Sequence, residues 1–190
     1  KIEELDDSQK GNYIKANYLK ANQLISGGAW SSAIPYLKAA GFYYPKTDRF
    51  NQLSRYWLAE ANYNSGNFAE AFKIWEELYN TSALRGMQES ALLSYNMGYA
   101  CYSDKKYAQA ARWFDLYAAS KDEFNREDAL LRRADCDFAM HDYRAAIKSY
   151  QRVQDEFGEP DKLYPVYQQA LAYGLSGQNK TKINVLLAVK

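Results

Sequence analysis

Five copies of one residue pattern run along the chain, and few folds can accommodate them. Four copies have a small residue, a turn residue seven positions later, an aromatic two beyond that, and an alanine three further on, and the fifth keeps the small and turn residues alone. The second copy is Ala59, Gly66, Phe68, Ala71 and Trp75. The third is Gly98, Lys105, Tyr107, Ala110 and Phe114. The fourth is Ala134, His141, Tyr143, Ala146 and Tyr150. The first is Ala21, Gly28, Trp30, Ala33 and Leu37, and a worn fifth reads Ala170, Gly177, Asn179, Lys182 and Leu186. The turn positions 28, 66, 105, 141 and 177 lie 38, 39, 36 and 36 residues apart. Self-similarity at this period is the mark of stacked repeats. Such an array displays a surface rather than enclosing a pocket, so the functional question is what the surface holds.

Each copy reads as two helices. Leu58, Ala59, Asn62 and Tyr63 recur at helical spacing, residues 65–67 break the pattern, and Phe68, Ala71, Phe72, Trp75 and Leu78 resume it. Small residues at 59 and 71, 98 and 110, and 134 and 146 let the paired helices approach closely. No strand-type alternation or hairpin dipeptide appears. Prolines occur only at 35, 45, 160 and 165, and the long stretches between them favour helix. The segment 41–45 is expected to end the first hairpin and 158–160 the fourth. Residues 1–7 read as the tail of an earlier helix. The start at Lys1, with neither Met nor signal peptide, suggests a piece of a longer chain, as does a fifth hairpin that stops inside its second helix.

Composition narrows the function. With 47% hydrophobic residues the chain folds, and with a net charge of +1 and no basic block it does not suit a phosphate-tracking nucleic-acid surface. No apolar run approaches the roughly 18 residues of a membrane span. Tyrosine is the outlier, at 18 residues. Its rigid ring and polar tip suit binding surfaces, and it equally fills wedges between helices, so both readings stay open. Cys101 and Cys136 sit nearly one repeat apart. Equivalent residues on neighbouring helices are about 8–10 Å apart, beyond the roughly 7 Å a disulfide tolerates, so two free thiols are expected.

The run Leu58-Ala59-x3-Tyr63-x2-Gly66-Asn67-Phe68-x2-Ala71-x3-Trp75 resembles the tetratricopeptide repeat (TPR), and Met97-Gly98-x3-Tyr102-x4-Tyr107-x2-Ala110-x3-Phe114 resembles it again. Pro45 stands where that repeat has its closing proline. Lys105 and His141 replace the turn glycine, and Asn62 and Asp137 stand where an aromatic is usual. The resemblance implies an all-α, right-handed α-solenoid (superhelix) of about five TPR-like helical hairpins. Read as one array over 1–190, these span about 8–45, 46–84, 85–122, 123–160 and an incomplete 161–190. Copies lengthened to 36–39 residues look like the TPR proteins of Gram-negative cell envelopes, which implies a bacterial periplasmic or outer-membrane-associated location.

Candidate chemistry is sparse. Residues 174–181 approach a phosphate-binding loop, but Asn179 stands where glycine must precede Lys180, and no strand leads in. Asp135, Cys136, Asp137 and His141 are the only cluster resembling metal ligands. His141 is the sole histidine, and a zinc site needs at least three protein ligands. The acidic pairs 76–77, 122–123 and 127–128 read as solvated charge. No metal, cofactor or catalytic residue is assigned.

What remains is a stripe on the first helix of each hairpin. In the fold that the resemblance implies, these helices line a concave groove. The groove-facing positions are Tyr18, Asn22 and Ile25; Tyr56, Glu60 and Tyr63; Tyr95, Tyr99 and Tyr102; Leu131, Asp135 and Phe138, with Arg132 beside them; and Tyr167, Leu171 and Gly174. Their i, i+4, i+7 spacing sets each triplet on one helix face. Tyr18, Trp57 and Leu92 occupy places where the family's carboxylate clamp would carry Lys or Asn. The expected function is a non-enzymatic protein-binding scaffold. Its groove would take a partner segment bearing apolar and basic side chains. The alternatives are self-association through open repeat ends, and a glycan-binding or glycan-hydrolysing groove using Glu60 and Asp135.

Overall fold

The computed structural model describes residues 5–42, 49–120, 124–158 and 163–188. Among them are ten helices: α1 (Asp7–Ser26), α2 (Trp30–Phe42), α3 (Arg49–Asn64), α4 (Phe68–Asn80), α5 (Glu89–Ser103), α6 (Tyr107–Ala118), α7 (Arg126–Ala139), α8 (Tyr143–Phe157), α9 (Leu163–Leu175) and α10 (Asn179–Ala188). No strand occurs among the described residues. The expected all-α array of helical hairpins is the fold observed. The readings placed on Pro45, on Pro160, on the pair 122–123 and on residues 1–4 lie outside the described residues. At residues 5–7 the structure differs from expectation. Asp6 is the N-cap of α1, in a reciprocal capping box with Gln9, so this segment opens a helix rather than ending one.

All five turns within the hairpins are alike. Residues 27–29, 65–67, 104–106, 140–142 and 176–178 each join two helices through three residues. The middle residue is left-handed every time: Gly28 at φ 75°, Gly66 at 82°, Lys105 at 59°, His141 at 62° and Gly177 at 84°. The next residue then donates its N–H five residues back. The bonds are Ala29 to Leu24 at 2.8 Å, Asn67 to Asn62 at 2.8 Å, Lys106 to Cys101 at 2.8 Å, Asp142 to Asp137 at 3.0 Å and Gln178 to Tyr173 at 2.8 Å. This is the Schellman closure, which satisfies the last helical carbonyls. Lys105 and His141 thus do a glycine's work at a steric cost.

The chain divides into two compact units, Lys1–Ala100 and Cys101–Lys190. In the first, α1 packs on α2, α2 on α3 and α3 on α4. One of its core clusters joins Ala21, Ala33, Leu37 and Ala61, walled by Leu24, Trp30, Ile34 and Trp57. In the second, α6 packs on α7, α7 on α8, α8 on α9 and α9 on α10. One of its core clusters joins Ala134, Ala146, Tyr150 and Ala172. The small residues of the repeat, Ala21, Ala59, Ala134 and Ala170, and the partner alanines 33, 71, 110 and 146 are fully buried. A larger side chain at any of them would push the helices apart. The interior Pro35 of α2 is exposed, and Pro165 lies in the first turn of α9, where a missing N–H costs nothing. No helix among the described residues is long and apolar enough to cross a membrane.

Candidate functional site

In the first unit the stripe residues gather around one recess of about 240 Å³, lined by Glu60, Tyr63, Trp75, Tyr95, Asn96 and Tyr99. Glu60 and Tyr63 come from one face of α3, Tyr95, Asn96 and Tyr99 from α5, and Trp75 from α4. Trp75 is 1% exposed and forms the back wall, its ring 6.1 Å from that of Tyr63. Tyr63 also packs on Phe68 at 5.4 Å. Tyr95 and Tyr99 meet edge to face, 5.0 Å between centroids and 69° between planes, so they form a corner rather than a stack.

A hydrogen-bonded triangle underlies the recess. The Asn96 Nδ2 amide donates to Glu60 Oε1 at 2.7 Å and to the Tyr56 hydroxyl at 2.9 Å. Tyr56 also hydrogen-bonds the Glu60 carboxylate. Burial pushes the Glu60 carboxyl above its usual range, and the bonds from Tyr56 and Asn96 only partly offset this. Burial, then the Glu60 charge, raises the Tyr56 hydroxyl well beyond its ordinary value. Every group touching this carboxylate is neutral, and no cation pairs with it among the described residues.

The second unit holds a different cluster. Asp135 is buried on α7 and accepts from the Tyr150 hydroxyl at 2.7 Å and the Tyr164 hydroxyl at 3.1 Å. Its other oxygen takes the Arg132 guanidinium, which lies over the Tyr164 ring at 5.8 Å. Burial raises the Asp135 carboxyl, against these three partners. The acid therefore ties α7 to α8 and α9. Tyr102 is half-buried, edge-on to Tyr107 at 5.5 Å, with its hydroxyl raised by burial and by Asp135. Asp137 pairs with Arg133 and accepts from Ser149 at 2.8 Å. Cys136 is buried and its thiol is pushed up to about 12 by that burial, and neither Cys101 nor Cys136 is in a disulfide. His141 is exposed in its turn, beyond the end of α7. The described residues contain no group of three or more His, Cys, Asp or Glu that could hold a metal.

The remaining stripe residues scatter. Tyr18 is half-buried, edge-on to Phe50 at 5.6 Å, and Asn22 is half-buried on the same helix. Tyr56 is only 3% exposed and sits beneath the recess rather than lining it. Phe138 and Leu131 pack against the second unit's core. Tyr167 is 53% exposed, and Gly174 faces the Lys182 side chain. Sequence reasoning did not single out Asn96, Tyr164 or the wall role of Trp75. Asn96 stands two residues before its small residue, the register of Trp57, and a scan of that column would have raised it.

No family model matches the chain, and no curated protein matches it. Solved structures do resemble it. Nearly identical TPR-like repeats ascribed to a kinesin light chain of Podosopora anserina superpose with a TM-score of 0.70 at 16% identity, over 93% of this chain and 92% of that one. MamA (41 to end) from Desulfovibrio magneticus RS-1 does so with a TM-score of 0.74 at 17% identity, over 93% of each chain. Another MamA crystal structure reaches 0.76 at 16% identity, over 93% and 89%. Identities this low speak to fold alone, and the fold is that of TPR-like repeats.

Proposed function

We propose that this TPR-like chain is a non-enzymatic interaction scaffold, and that the aromatic face of α3 and α5 holds a segment of a partner protein. One observation carries the reading: the Glu60 recess, where six side chains from three helices converge on an open, mostly aromatic hollow. Aromatics at the centre of such a hollow act as binding anchors. Hydrolysis of a glycan by Glu60 and Asp135 is disfavoured by chemistry, because Asp135 is spent on Arg132, Tyr150 and Tyr164. The whole sequence is taken as one repeat array. Its lengthened repeats favour a bacterial periplasmic or outer-membrane setting, which fractionation of the source cells would test.

The test of the binding reading is a random peptide display selection on the native chain, counter-screened on Tyr99→Ala. Peptides that bind the first and lose at least about 2 kcal/mol on the second support the groove. The Tyr99→Ala melting curve must stay near that of the native chain. Peptides indifferent to Tyr99, or a collapsed melt, would overturn it. A second reading, self-association, is favoured by one feature: Leu175, Ile183 and Leu187 are exposed around α10, which has no buried residue.

A further inference from the structure

We propose that the Glu60 recess is a cation cage that receives the charged head of one basic side chain of the bound segment. This rests on the groove reading above and names the chemistry of its occupant.

The first argument is an imbalance of charge. Several other acids among the described residues have a cation at hand. Asp135 has Arg132, Asp137 has Arg133, Glu77 has Arg55 at 2.6 Å and Glu156 has Arg126 at 2.7 Å. Glu60 is partly buried, and among the described residues its hydrogen-bond partners are an amide and a phenol. Those neutral donors fix the carboxylate in place and leave its charge unmatched. A carboxylate drawn out of water without a counter-charge is costly, and a cation entering the recess would relieve that cost.

The second argument is the wall. Tyr63, Trp75, Tyr95 and Tyr99 surround the same hollow. Aromatic faces carry negative potential and attract ammonium and guanidinium groups, and rings set at an angle offer more than one face. Tyr95 and Tyr99 stand 69° apart. An anion would be repelled by Glu60. A neutral sugar or aliphatic side chain would leave the carboxylate charge as it was. A volume of about 240 Å³ admits the end of one side chain, not a folded element.

The experiment titrates the full, isotopically labelled chain with four blocked amino acids while following the Trp75 indole by NMR. The probes are N-acetyl-lysine methylamide, its Nζ-trimethyl form, N-acetyl-arginine methylamide and the neutral N-acetyl-norleucine methylamide. At least one cationic probe should bind about tenfold or more tightly than norleucine, and Glu60→Gln should erase that preference. Tyr99→Leu, which keeps bulk and removes the ring, should weaken the best cationic probe severalfold. Equal binding of norleucine, or an undiminished preference in a folded Glu60→Gln, would overturn the cage. The display selection separates the two levels. Tyr99-dependent peptides with no fixed basic position, binding Glu60→Gln as well as the native chain, would leave the groove standing and remove the cage. A selection returning no Tyr99-dependent peptide would remove the groove and this use of the cage together.

Discussion

Lys105 and His141 each hold a left-handed backbone that a Cβ disfavours, while three equivalent turns use glycine. Lys105→Gly and His141→Gly should therefore each raise stability by about 1 kcal/mol, read from denaturant midpoints. Gly66→Ala should lower it by a similar amount. These positions were legible in the sequence because a turn's demand on φ is local. Glu60 makes the opposite case. Its position on a helix face could be read, but its partner Asn96 lies 36 residues away on another helix, and no local pattern announces that bond. The consequence for pH follows from burial. The folded-state carboxyl value lies above its ordinary value of 4.5, so protonation favours the folded state. The stability that Glu60 contributes is complete below that ordinary value and is lost as pH rises through the folded value. Glu60→Gln should thus gain stability relative to the native chain as pH climbs to neutrality. A difference that stays flat with pH would count against the buried charge.

Helices were the most legible elements, since amphipathic spacing and small-residue pairs recur at each copy. The start of α1 was misread because the capping box at Asp6 and Gln9 is a two-residue signal, easily lost beside a longer apolar run. Ala110 of α6 and its fellows show how tightly the elements fit. Ala110→Leu should overpack and cost about 1–3 kcal/mol, and an unchanged denaturation midpoint would refute the register. The α7 helix carries its own test. Cys136 is buried, and its thiol is pushed up to about 12. With Cys101 buried too, neither should react quickly with a thiol reagent in the native chain, and both should titrate once it is unfolded. The lengthwise tyrosine column was visible in sequence. Its division was not, because Tyr99 lines a recess while Tyr102 lies against Tyr107 and feels Asp135. Which neighbours a ring meets depends on packing, not on register.

For the molecule as a whole, the α10 face decides one behaviour. Leu187 is 75% exposed and Leu175 58%, in a chain whose net charge is only +1. Little repulsion opposes contact between copies. Sedimentation should show concentration-dependent association, and Leu187→Glu should suppress it without lowering the melt. A native chain that stays monomeric at high concentration would refute this. The repeat order was readable from sequence because stacked hairpins pair neighbours in sequence. What the exposed faces meet was not, since a surface records no partner in its own periodicity. The uniform three-residue turns have a last implication, for how such a chain can be edited. Successive turns lie 36 to 39 residues apart while every turn keeps one geometry, so the slack is taken up outside the turns, in helix length and in the segments between hairpins. The hairpin is then the unit of cut and splice. Extra residues placed at exposed Arg85 and Gly86, between α4 and α5, should be absorbed like a longer hinge pin. A single residue added within 65–67 would rotate α4 against α3 and unseat Trp75.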